Sequence, residues 1–266
     1  MKPKLIALYA VLILSVGFMA YFAVNLVLEM NTRQSGQSFY NDLRIDFQSR
    51  SVREASFVDK PAGKPLGNAP LDAAQAHVPF MDFDSTRENI PDLVAWIHSN
   101  GTEISYPVVH GEDNDYYLSH LPDKSKNKIG SIFLDSRNLS GFSDKNILIY
   151  GHNMSSGDMF GSLKNYSNQR YFDEHQSMYL FTPAADYELI LYAGYVLDSA
   201  KEVPPTSFVD SSDFEWYISD ISRRSLFKSD AEVSFGEQLV FLCTCTPGGS
   251  KDERLVIVCK LAGLEM

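Results

Sequence analysis

The stretch QLVFLCTCTPGGSKDERLVIVCKL, residues 238–261, holds all three cysteines of a 266-residue chain. Side chains alternate along an extended segment, so Phe241, Cys243 and Cys245 share one face, and Leu242 and Thr244 the other. Cys245 is the last cysteine before Pro247, Gly248 and Gly249 turn the chain, which places its sulfur at a strand end where a substrate can reach it. Cys259 lies in phase with Leu255, Ile257 and Leu261 and reads as a small core hydrophobe. A disulfide between Cys243 and Cys245 would have to close across one residue of extended backbone, against the Cβ separation such a bond requires. The three cysteines also lack the Cys-x-x-Cys spacing of zinc sites. Cys245 is the candidate for nucleophilic chemistry.

A catalytic thiol needs a group that lowers its pKa or takes its proton, in practice histidine. Of six histidines, His77 falls in a Pro/Gly-rich stretch, His110, His120 and His175 among polar loop residues, and His98 after the apolar LVAWI. His152 comes immediately after the β-run NILIYG, between Gly151 and Asn153, and so stands at a strand end as Cys245 does. Acyl transfer also needs a donor where negative charge develops on the carbonyl oxygen. Arg254 opens the strand that follows Cys245 after eight residues, and antiparallel pairing would bring the two together. It reads equally well as a surface residue balancing Asp252 and Glu253.

The elements that must position these residues are mostly strands. TEISYPVV (102–109), GSIFLDS (130–136), NILIYG (146–151), SMYLFTP (177–183), YELILYAGYVL (187–197), QLVFLCTC and RLVIVCKL are rich in β-branched and aromatic residues and are bounded by turn signals. One helix is expected after a Ser155-Ser156 cap, through Met159, Phe160, Leu163 and Tyr166. A second is expected from Ser212, whose Ser-x-x-Glu spacing to Glu215 is a capping box, with Phe214, Tyr217, Ile218, Ile221 and Leu226 on one face. Many short strands with few helices point to a closed or nearly closed barrel.

The chain begins differently. Leu5–Val24 is an uncharged run of the length a helix needs to cross a bilayer, and it is longer than the core of a cleaved signal peptide. Lys2 and Lys4 precede it and Glu29 follows, so the amino terminus belongs in the cytoplasm and everything beyond residue 30 outside the cell. Three domains follow: an anchor over 1–30, a helical stalk and Pro/Gly-rich linker over 31–79, and a folded domain over 80–266. Residues 31–266 hold all the Lys and Arg but Lys2 and Lys4, and all the Asp and Glu but Glu29, for a formal charge of −12. That surface repels nucleic acid. An odd cysteine count outside the cell leaves at least one thiol free or paired with another chain.

Other uses of Cys, His and Arg fit less well. Phosphatase chemistry pairs a thiolate with a guanidinium across a tight loop of five residues, whereas eight intervene here and include Asp252 and Glu253. In papain-like proteases the cysteine precedes the histidine, and here His152 comes first. A membrane-tethered binding module with buried, unreactive cysteines is the non-enzymatic alternative.

The pattern resembles the sortases, membrane-anchored cysteine transpeptidases of Gram-positive bacteria. Their signature is a Thr-Leu-x-Thr-Cys strand end, an arginine shortly downstream and an upstream histidine. FLCTC supplies Leu242, Thr244 and Cys245, DERLVIVCKL supplies Arg254, and IYGHNM supplies His152. LVAWIHSNGTEISYPVVHGEDNDYYLSH, GSIFLDSRN, NILIYGHNM and the helix before the cysteine strand are similar to class B sortases, over roughly residues 80–263. Phe241 stands where the family usually has threonine, and Cys243 occupies its variable position. The resemblance implies an eight-stranded sortase-type β-barrel with flanking helices, and a reaction that needs no metal or cofactor. Cys245 would attack a threonine carbonyl in a C-terminal sorting signal of a secreted protein, forming a thioester. An amine of a lipid-linked peptidoglycan precursor or cross-bridge would resolve it. His152 would serve as general acid and base, and Arg254 would hold the oxyanion. Cell-wall anchoring and pilus linkage both remain open on the resemblance.

Overall fold

The computed structural model describes residues 3–58, 81–245 and 252–264, with side chains from residue 12 to 49 in the first segment and through Thr244 in the second. The linker expected over 59–79 and the turn at Pro247–Gly249 lie outside the described residues. Eight strands are present: β1 Leu93–His98, β2 Ser105–His110, β3 Ile132–Leu134, β4 Asn146–Tyr150, β5 Ser177–Phe181, β6 Asp186–Asp198, β7 Leu239–Cys245 and β8 Glu253–Gly263. They close into a barrel in the order β1-β2-β3-β4-β7-β8-β6-β5, with β1 paired to β5. Pairing is antiparallel except for β2 with β3 and β4 with β7. The parallel β4–β7 pair decides the site, because it sends two strands toward the same end of the barrel side by side.

The strands bury both faces. Inside the barrel pack Ile147, Ile149, Val240, Leu242, Leu255, Ile257 and Cys259. On the outside Leu148, Leu239, Phe241, Cys243, Val256 and Val258 meet the helix α4, Ser211–Arg224. Double burial is why these strands read as nearly unbroken apolar runs. Burial holds the Cys259 thiol well above its ordinary pKa, so it is a packing residue as its phase in the strand indicated.

Two helices differ from expectation. Helix α4 is capped two residues earlier than the Ser212 box, by Asp210, whose carboxylate accepts from the backbone N–H groups of Ser212 and Asp213. An anion at that end also suits the helix dipole. Of the expected apolar face, Phe214 and Ile221 are buried and Tyr217 and Ile218 pack beside them, while Leu226 lies beyond the helix end. No α-helix forms at Ser155. Gly157 and Met159 take positive φ (+93° and +56°), and the chain enters 3₁₀ conformation only at Gly161–Ser167. A short helix α3 follows at Gln169–Glu174.

The amino-terminal helix α1, Pro3–Val58, is long and apolar enough to cross a membrane. Its side chains from Leu12 to Leu28 are exposed, but from Thr32 on one face lies against the barrel. Gly36, Tyr40, Leu43 and Phe47 recur at helical spacing. Phe47 stacks on Trp96 with centroids 4.6 Å apart, and Arg44 donates to the carbonyls of Glu103 and Ser105. Beneath this face, α2 (Phe83–Arg87), Ile90, Leu93, Val109, Phe133 and Phe181 complete a third apolar cluster. Phe47→Ala should cost about 3 kcal/mol of unfolding free energy, the usual order for emptying a buried aromatic site. Thermal unfolding in detergent checks it, with a lowered midpoint expected.

Candidate active site

The strand register sets two of the candidate residues opposite each other. Cys245 at the end of β7 pairs directly with Arg254 at the start of β8. On the other flank of β7, Tyr150 of β4 is level with Cys243, and the N–H of Gly151 donates to the Cys243 carbonyl at 3.1 Å. His152 follows the last residue of β4 by two, just past the end of the β4–β7 pairing. Phase then fixes the face. Cys243 packs outside the barrel beside Val256, on the side of α4.

His152 is half-buried, and its Nε2 lies 2.7 Å from the carbonyl oxygen of Leu118. A carbonyl only accepts, so Nε2 carries the proton and donates it, and Nδ1 is the nitrogen left to exchange a proton with a neighbouring sulfur. Leu118 is held by the 3₁₀ turn Tyr116–Leu118, whose Tyr117 hydroxyl donates to Asp92 at 2.6 Å. The loop returns at Gly130, with φ +65° and its Cα packed against His152: a Cβ there would sit 2.9 Å from the imidazole Cδ2 and 2.7 Å from the Tyr117 carbonyl oxygen. The other described histidines lie elsewhere. His98 packs on Phe47, His120 stacks on Tyr116 and His175 on Tyr171.

Arg254 donates from Nη1 to the Glu253 carbonyl and lines a cavity of about 80 Å³ with Tyr150, Glu202, Val203, Cys243 and Val256. Glu202 and Val203 also wall a second cavity of about 260 Å³ that runs under α4 to Trp216 and Tyr217. Cys243 forms part of the floor of the first. It is almost wholly buried, and burial, with the nearby Asp135 charge adding to it and Arg254 opposing, pushes its thiol well above the ordinary range. Cys243 is therefore a lining residue and a poor nucleophile.

A sortase domain matches residues 97–262. Sortase B of Listeria monocytogenes is 36% identical over 171 residues, 64% of this chain and 70% of that protein. The crystal structure of a Bacillus anthracis protein similar to sortase B is 33% identical, with a TM-score of 0.63 over 69% of this chain and 83% of that one. A Staphylococcus aureus sortase B–substrate complex shares the fold at a TM-score of 0.72, covering 88% of this chain and 99% of that one at 23% identity. The chain belongs to the sortase family. Its similarities lie with class B, and the family makes it a transpeptidase.

Several supports of this sortase site carry no motif. Asp135, fully buried, accepts from the Tyr150 hydroxyl at 2.9 Å and from both Nε and Nη2 of Arg137 at 2.8 Å. Burial alone would raise its pKa, but the Arg137 side chain and backbone N–H and the Tyr150 hydroxyl outweigh it and hold the carboxyl below the usual range. A folded-state pKa below the unfolded value near 3.9 adds stability that is present above about pH 4 and lost as pH falls through the folded value. Asp135→Asn should therefore lower the urea midpoint at pH 7, and the gap from the wild type should narrow at pH 3. Across the groove, Arg224 of α4 bridges Glu202 at 2.9 Å and Asp220 at 2.7 Å and stacks over Tyr195, tying the β6–α4 loop to the helix. Phe241, bulky where the family usually has threonine, fills the same interface near Tyr217.

Proposed function

We propose that this sortase cleaves a C-terminal sorting signal of secreted proteins after threonine, holds the product as a thioester on Cys245, and transfers it to an amine of a cell-wall precursor. The observation that carries the reading is the register: Cys245 and Arg254 pair across β7 and β8, and His152 follows by two residues the end of β4, the parallel neighbour of β7. The Cys245 thiolate attacks the threonine carbonyl carbon, and the C–S bond forms as charge moves to oxygen, where Arg254 meets it. The His152 imidazolium then gives its Nδ1 proton to the leaving amide nitrogen as the C–N bond breaks. In the second half the acceptor amine attacks the thioester, the same nitrogen takes the proton back, and the thiolate leaves. The groove below α4, which shares Glu202 and Val203 with the Arg254 cavity, is the place for the signal peptide.

Helix α1 supports a location on the outer face of the membrane, with Lys2 and Lys4 on the cytoplasmic side. A water-exposed thioester faces water at about 55 M, so transfer depends on holding the amine close, and anchoring enzyme, signal and lipid-linked acceptor in one plane raises their effective concentration. A library of sorting-signal peptides, offered with an amine acceptor, tests the reading. Cleavage and ligation after threonine are expected, and a chain that ligates none of them would refute it.

A further inference from the structure

We propose that Tyr40, on the helix that continues from the membrane-length apolar segment, is a positioning residue for His152, so that the anchor helix is a working part of the active site as well as a tether. This rests on the role given to His152 above. The Tyr40 ring is buried against Tyr106, and its hydroxyl donates to the Gly130 carbonyl at 2.6 Å. Gly130 is the residue packed against the imidazole and the Leu118 carbonyl, which accepts the His152 Nε2 proton. One hydrogen bond therefore joins the helix to the backbone on which the acid–base group rests.

The seam is built on both sides of that bond. Asn127 is buried, donates to the Thr32 carbonyl at 2.8 Å, and accepts from the Ile129 N–H, which shapes the loop into Gly130. The helix comes closest at Gly36, where a Cβ would lie 2.8 Å from Ile129 Cδ1 and 2.9 Å from Asn127 Nδ2. Thr32, Gly36 and Tyr40 repeat every four residues, a stripe facing residues 127–130. Thr32 follows Val24, the end of the uncharged run, by eight residues, about 12 Å along the helix. Helix, loop and His152 are thus joined in series, by hydrogen bonds from helix to loop and by the packing of Gly130 against the imidazole.

The test uses the full chain in detergent micelles. Tyr40→Phe keeps the ring and removes only the hydroxyl. The expected result is a fall in kcat of about tenfold with KM little changed, as for a small displacement of an acid–base group. The NMR resonance of the His152 Nε2 proton should shift or broaden together with it. Arg44→Gln, on the same helix but directed at Ser105, is the control: its melting temperature falls while kcat and the ring resonance stay as in the wild type. An unchanged kcat or an unchanged ring resonance in a folded Tyr40→Phe protein overturns the proposal. Should that variant lose its fold, Asn127→Asp, which removes the donor to Thr32 and keeps the acceptor for Ile129, carries the same expectation. A wild-type chain that ligates no sorting peptide would defeat the function proposed above, and the ring resonance alone would then decide whether Tyr40 holds His152.

Discussion

Cys245→Ala should leave no ligated product from any sorting peptide, at any acceptor concentration. No other described thiol can take its place. Cys243 and Cys259 are buried with pKa values pushed far up, so neither supplies thiolate near neutral pH, and Cys259 faces the barrel interior. The wild type, incubated with signal peptide and no amine, should carry the peptide acyl group on one residue, and hydroxylamine should release it. His152→Ala should lower kcat by about 10² to 10⁴-fold, the range a general acid–base group contributes. Mass spectrometry of the acyl-enzyme reads both variants, and product formed by Cys245→Ala would end the mechanism.

The strands that carry the chemistry were legible because each has one feature beyond its apolar content. β7 alternates into a cysteine followed in the sequence by Pro-Gly-Gly, β8 opens on a charge, and β4 is followed at once by Gly151-His152. β1 shows the reverse. LVAWIH is buried on both faces, Trp96 under Phe47 and Ile97 inside the barrel, so no period-2 pattern marks it as a strand. The Ser155 helix was misread because the apolar spacing of Met159, Phe160 and Leu163 fits a helix, whereas the positive φ at Met159 is set by tertiary contacts: its N–H donates to the Tyr106 hydroxyl, 53 residues away. Asp210 outcompetes Ser212 as a cap because both satisfy N–H groups but only the aspartate brings charge to the dipole.

The supports of the site were legible least. Leu118 acts through its carbonyl, Gly130 through the absence of a side chain, and Asp135 through partners at positions 137 and 150. None of these belongs to a residue type and spacing that announces a role. The stretch after the anchor reads as a polar helix, and its docking is visible only as a stripe of Gly36, Tyr40, Leu43 and Phe47 whose partner surface is scattered over β1, β2 and the 127–130 loop. Amphipathicity indicates that such a face is covered and leaves the covering residues unspecified.

Arg254 separates two meanings of one charge. As a surface residue beside Asp252 and Glu253 it would be worth little, since exposed pairs contribute well under about 1 kcal/mol, and Arg254→Ala would leave turnover intact. As the group that meets the developing oxyanion it acts where the strand pairing has already placed it, directly across from Cys245 and at the wall of the cavity shared with Tyr150 and Glu202. Preorganised donors of this kind are worth about 10² to 10³-fold in kcat, so Arg254→Ala should fall by that factor. Arg254→Lys should recover only part of it, because an ammonium offers a point charge where the guanidinium offers a fixed fork of N–H donors. The thermal midpoints of both variants should stay close to that of the wild type. Single-turnover measurement of thioester formation locates the loss in the first step, where the oxyanion forms on the threonine carbonyl. A normal acylation rate in Arg254→Ala would return the residue to the surface role and move oxyanion stabilisation to backbone N–H groups at the strand end.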